Sequence, residues 1–152
     1  MSYTLQFFSL PQGICEQVSP DPNVMPAFIE KHGRWVGEIE FAAGESHLFF
    51  EAVERLIKAP IFGLLFGSVC GVKPTKTSQE FGGLTRDVAQ QVAGALKLAV
   101  SKTEVSEGAD VATAIAMDLG LRPDVFQNKL SLLCSLLEDA LLEGGEPATV
   151  YN

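Results

Sequence analysis

The chain has 152 residues, 47% of them hydrophobic and 20% charged, with a formal net charge of −8. That length suits one domain with a sizeable core, and the composition excludes a disordered or collagen-like chain. Nine acids against Arg122 and Lys129 place −7 of the −8 in residues 103–152, a surface sign that repels nucleic-acid backbones and anionic membranes and attracts basic partners.

Residues 2–10 have period two: Tyr3, Leu5 and Phe7 fall on one face and Thr4 and Gln6 on the other, as in a strand. Residues 1–12 carry neither Lys nor Arg, so this opening reads as part of the fold and not as a signal peptide. Pro11, Pro20, Pro22 and Pro26 punctuate short helical turns as far as Gly33. Period two returns over residues 34–41, with Trp35, Ile39 and Phe41 expected on one side of a half-buried strand and Glu38 and Glu40 on the other.

Ser46 to Lys58 follows a helical period, with Phe49, Val53, Leu56 and Ile57 as the inward stripe. Pro60 ends that helix and opens a short apolar one. The apolar stretch Ala59 to Val72 is shorter than a bilayer requires and is broken by glycines and Ser68, so no membrane span is expected. Lys73 to Glu80 is a Lys/Thr/Ser-rich loop, the segment expected to move most.

Phe81-Gly82-Gly83-Leu84 leads into a helix capped by Thr85, with Val88, Ala89, Val92, Leu96 and Ala99 inward. A further helix from about Glu107 to Leu119 is expected to bury Val111, Ala112, Ile115, Ala116 and Leu119, with Gly120 closing it. The last helix opens at Pro123 and extends to about Glu143. Phe126, Leu130, Leu133, Leu137 and Leu141 share one face, Leu132 and Leu136 broaden it, and only Ser131, Ser135 and Glu138 make a polar strip. Gly144-Gly145 stops it, and Pro147 to Asn152 reads as a final strand. The expected fold is α+β, in a single domain 1–152. A small antiparallel sheet is formed by the chain termini and residues 34–41 and covered by about five helices, with a long central helix 123–143.

The ending Leu141-Leu142-Glu143-Gly144-Gly145-Glu146-Pro147-Ala148-Thr149-Val150 resembles the close of the bacterial YfbM-like domain family. Phe81-Gly82-Gly83-Leu84-Thr85 before an Ala/Val helix is similar to the segment preceding that family's later helices. The resemblance implies an α+β architecture and a bacterial origin, and carries no activity over to any residue.

The sharpest motif is a helix-turn-helix pattern over Ala116 to Phe126, with Gly120 at its corner. It would offer Arg122, Gln127, Asn128 and Lys129 to a major groove, but Asp118 and Asp124 and the surrounding acidity oppose phosphate contact. Gly63, Gly67 and Gly71 recur every four residues, a smooth stripe for close packing within the chain or between subunits. Gly67 to Thr75 misses a phosphate loop, because Val72 precedes Lys73 and Pro74 removes an amide donor. Cys70 with His47 or His32 as base could form a nucleophilic pair, although a reactive thiol needs an electropositive setting that this stretch lacks. Cys15, Cys70 and Cys134, odd in number and among apolar neighbours, read as reduced buried thiols in a cytoplasmic protein. No cysteine pair has zinc-finger spacing, and His32 and His47 lack a clustered partner. The carboxylate pairs Glu38/Glu40 and Glu138/Asp139 read as solvated charge.

These observations assign no catalytic, cofactor-binding or metal-binding residue. They favour a non-enzymatic interaction domain whose acidic C-terminal half meets a basic protein, as an immunity-type inhibitor of a basic toxin does. The alternatives are a DNA-binding regulator using the corner at Gly120 and a small cysteine-dependent enzyme, with homo-oligomerisation compatible with each. The loop 73–80 and the Trp35 strand are where an interaction surface is expected.

Overall fold

Alternation makes residues 2–10 the strand around which the sheet is built. The computed structural model describes residues 2–17, 21–76, 80–103 and 106–151, with the side chains of 102–110 outside that description. Pro20, Asn152 and residues 77–79 of the expected loop 73–80 therefore lie outside it. The sheet contains β1 (Ser2–Leu10), β2 (Arg34–Ala42), β3 (Phe81–Gly83) and β4 (Glu146–Tyr151), in the order β2-β1-β4-β3. All three pairings are antiparallel. The chain termini and residues 34–41 supply three of these strands, as the period predicts.

Strand alternation divides the apolar residues between two cores. Leu5, Phe7, Ile39 and Phe41 point into the larger one, which is closed by α2 (Glu45–Ile57), α4 (Arg86–Thr103), α5 (Ser106–Asp118) and α6 (Pro123–Ala140). Phe8, Leu10, Ala148 and Val150 point the other way, into a smaller core closed by α1 (Met25–His32) and by Val69 and Val72. Between α2 and α4 lies α3 (Gly63–Phe66), a single turn. Phe49 meets Phe126 edge-on at 5.7 Å and Phe50 at 5.4 Å, contacts worth about 1 kcal/mol each beyond the area they bury. Among the described side chains of α5, Ala112 and Ala116 are buried, whereas Val111 is exposed, so the inward face there is narrower than its apolar pattern predicts. No described helix is long and apolar enough to cross a membrane.

The central helix stops at Ala140, short of the expected Glu143. Its last carbonyls are claimed from three directions. Arg34 Nη2 donates to the Asp139 carbonyl at 2.9 Å, the buried Ser9 hydroxyl to Ala140 at 2.6 Å, and Arg86 Nη1 to Leu141 at 2.8 Å and Gly145 at 2.7 Å. These donors satisfy groups that a helix end leaves orphaned, and they come from β2, β1 and α4. Glu143 and Gly144 then take left-handed backbone (φ +57° and +76°), turning the chain into β4.

Phe81-Gly82-Gly83, expected only to lead into a helix, is the fourth strand. Glycine is required here by proximity: a Cβ on Gly82 would lie 2.5 Å from the Gly63 carbonyl oxygen and 2.7 Å from that of Leu64. The Gly63 and Gly67 positions face the same contact, each within 3.0 Å of the Gly83 carbonyl oxygen. Two of the three recurring glycines thus serve close internal packing, and Gly71 (φ +78°) serves a turn between the bridged Val69 and Val72.

That turn carries the largest departure from expectation. Cys70 is bonded to Cys15 across 55 residues, so these two cysteines are not the reduced thiols that their apolar neighbours suggest. The bond staples the segment after β1 to the turn that closes the smaller core.

Two outcomes test this packing. Gly82→Ala should lower stability by about 1–3 kcal/mol, because backbone atoms and not a flexible side chain occupy the space; equilibrium urea unfolding measures it. Cys15→Ser with Cys70→Ser, or reduction of the native protein, should cost about 2–4 kcal/mol through the released loop entropy; thermal unfolding with and without a dithiol reductant measures that.

Candidate interaction surface

The two edges of the sheet are treated differently by the chain. β3 is three residues long and enclosed by the α3 turn, which leaves no room even for a methyl group. β2 is nine residues long, pairs on one side with β1, and ends the strand order on the other. An edge of that length presents a row of backbone donors and acceptors.

The register with β1 sets what this edge displays. Ile39 lies opposite Leu5 and Gly37 opposite Phe7, but Trp35 lies opposite Phe8, so the pairing slips by one residue between Phe7 and Phe8 and Val36 is the extra residue. The slip carries Trp35 to the face away from Ile39 and Phe41, contrary to the uninterrupted period. Trp35 shares that face with Glu38, opposite Gln6, and Glu40, opposite Thr4. Its side chain is 55% exposed. Glu38 and Glu40 are exposed, and neither enters an ion pair among the described residues.

On the opposite face α6 runs alongside β2. Asp139 binds Arg34, Leu136 lies against the Cα of Gly37, and the Lys129 ammonium sits 4.9 Å from the centre of the Phe41 ring. These residues recur at helical spacing, and Leu132 belongs to the same stripe, between Lys129 and Leu136. Leu136 is buried, yet Leu132 is 41% exposed. The open edge therefore has an acidic, aromatic side and an aliphatic side.

The acidic C-terminal half is less free than its composition suggests. Asp118 pairs with Arg55 at 2.9 Å, Asp124 with Arg122 at 3.1 Å and Asp139 with Arg34 at 3.2 Å. Glu138 and Glu143 remain exposed, whereas Glu104, Glu107 and Asp110 lie outside the described side chains.

Two clefts flank Gly44 at the start of α2. The larger, about 400 Å³, is lined by Leu48, Phe49, Leu121, Val125 and Phe126, with Arg122, Lys129 and Glu45 among its charged residues. Its cations are engaged, Arg122 by Asp124 and Lys129 by Glu45. The smaller, about 260 Å³, is lined by Tyr3, Ser46, His47, Leu65, Phe66 and Tyr151. Its Ser46 and Tyr151 hydroxyls share a hydrogen bond of 2.6 Å, and His47 is exposed.

The remaining sequence candidates are dispersed. Cys70 is oxidised and packs with the smaller core, while His47 lies by the cleft at the start of α2, and the His32 ring lies tilted against Phe28 on α1. No group of three potential metal ligands occurs among the described residues. At the corner by Gly120, α6 buries Phe126, Leu130, Leu133 and Leu137 and its Lys129 is held by Glu45, while Arg122 and Asn128 are exposed.

Comparison with protein-family models, curated proteins and solved structures finds no match to the chain. The free Cys134 is buried, and its thiol is pushed up from 9.0 to about 11, chiefly by burial and further by the neighbouring Glu138 carboxylate. At neutral pH it should resist alkylation by iodoacetamide, reacting appreciably only toward pH 11. Because the folded value is raised, its contribution to stability is complete below about 9 and is lost as pH rises toward 11. Comparing wild type with Cys134→Ala by denaturant unfolding over that range measures the effect.

Proposed function

We propose that this chain is a non-enzymatic interaction domain that binds a basic protein partner. The observation that supports the reading best is the open edge of β2, where Glu38 and Glu40, which enter no ion pair among the described residues, stand beside the exposed Trp35. Unneutralised carboxylates steer a cationic partner at range, and an exposed tryptophan supplies the kind of apolar anchor on which interfaces concentrate their energy. Glu138 and Glu143 extend the acidic character into the C-terminal half. Inhibition of a basic toxin is one role of this kind.

The two oxidised cysteines support an oxidising working environment in place of the cytoplasmic one expected from cysteine count. The YfbM-like resemblance of residues 141–150 assigns no chemistry and leaves the reading unchanged.

Affinity capture at low salt, with identification by mass spectrometry, tests the reading. Wild type should recover one basic protein, released by moderate salt, that a variant carrying Glu→Gln at positions 38, 40, 138 and 143 fails to recover. Recovery of the same proteins by both, or of no basic protein, would contradict it.

A further inference from the structure

The geometry points to strand addition as the mode of binding: β2 accepts an extended basic segment whose alternate residues are cationic and apolar. This inference rests on the interaction reading above and specifies its ligand.

Three features select that occupant. Beyond the slip at Val36, residues 37–42 of β2 are regularly paired with β1, so a further strand can continue the ladder on the free side. An added strand lies about 4.8 Å away, with its side chains alternating in step with those of β2. On one face, two of its residues separated by one position would stand opposite Glu38 and Glu40, where opposite charges stabilise a cross-strand pair and like charges destabilise it. On the other face, the residue between them would point toward α6 and cover the exposed flank of Leu132. The motif is therefore basic–apolar–basic, in either strand direction. Trp35, on the same face as the two carboxylates but beyond the slip, lies where a further cationic or aromatic residue of the segment can stack on its ring.

The same charges argue against a second copy of this chain as the occupant. Two β2 edges paired about Ile39 would set Glu38 of each against Glu40 of the other. The acidic edge thus suppresses self-pairing and leaves the backbone row available to a cationic strand.

A labelled ten-residue peptide with alternating Lys and Leu, titrated at low salt by fluorescence anisotropy, tests the inference. A second peptide of equal charge carries Pro at alternate positions and cannot pair as a strand. The alternating peptide should bind at least tenfold more tightly than the proline peptide. Glu38→Gln with Glu40→Gln should weaken it at least fivefold, and Glu38→Lys with Glu40→Lys should abolish it. Binding should shift the Trp35 emission and protect β2 amides from hydrogen exchange, and the free chain should sediment as a monomer. Equal binding of both peptides, or binding indifferent to residues 38 and 40, would overturn strand addition while leaving the interaction reading intact. Absence of binding by either peptide, together with failure to capture a basic protein, would overturn both. Self-association through β2, lost in the Glu→Lys variant, would identify a second copy as the occupant and overturn the inference.

Discussion

The fold depends on how the C-terminal end of α6 is held. A helix end leaves its last carbonyls without partners, and burying them unpaired is costly. Here Ser9 on β1, Arg34 on β2 and Arg86 at the start of α4 donate to Ala140, Asp139 and Leu141. Two strands and a helix thus converge on one helical end. The clamp fixes where α6 crosses the sheet and how it is rotated. Leu133 and Leu137 turn into the larger core, Leu136 meets the bare Cα of Gly37, and Leu132, on the same helical stripe, is left exposed. The aliphatic side of the candidate surface therefore follows from the capping of the central helix.

The acidic side follows from the sheet. β1 is paired on both flanks and β3 is closed against α3, so β2 alone offers a long free edge among the described strands. Proteins commonly protect such an edge with charge and with a bulge, and β2 has both. Protection and recognition are compatible when the charge has one sign: carboxylates that repel another acidic edge favour a basic one. The paired acids elsewhere make this local. Asp118, Asp124 and Asp139 are paired with arginines, whereas Glu38 and Glu40, which lie outside the acidic C-terminal half, enter no ion pair among the described residues.

The fold was largely legible because periodicity is a local signal. Strands at 2–10 and 34–41 and the helices near 46–58, 85–100, 107–119 and 123–143 can be read from the spacing of apolar residues alone, the last of them three residues too long. What could not be read is set by distant parts of the chain. Phe81-Gly82-Gly83 has no strand pattern, and becomes one because β4 pairs with it and α3 lies against its glycines. The reach of α6 was overestimated because Arg34, Ser9 and Arg86 end it from afar. Cys15 and Cys70, 55 positions apart, meet only through the folding of the chain between them. The candidate surface was half legible: alternation showed that Glu38 and Glu40 face solvent, and an exposed aromatic at Trp35 was a reasonable place to look. Its composition was not, because a one-residue slip against β1 moves Trp35 onto the carboxylate face, and neither the slip nor the edge position leaves a mark in the sequence.

The most direct test of the account is residue-resolved amide hydrogen exchange on the free protein, by NMR. If β2 is an open edge, its amides within residues 37–41 should divide by alternation, those directed toward β1 protected and those directed away exchanging quickly, while the amides of Phe81–Gly83 stay slow. Uniform protection along β2, matching that of β3, would mean that the edge is already covered, and would contradict the account.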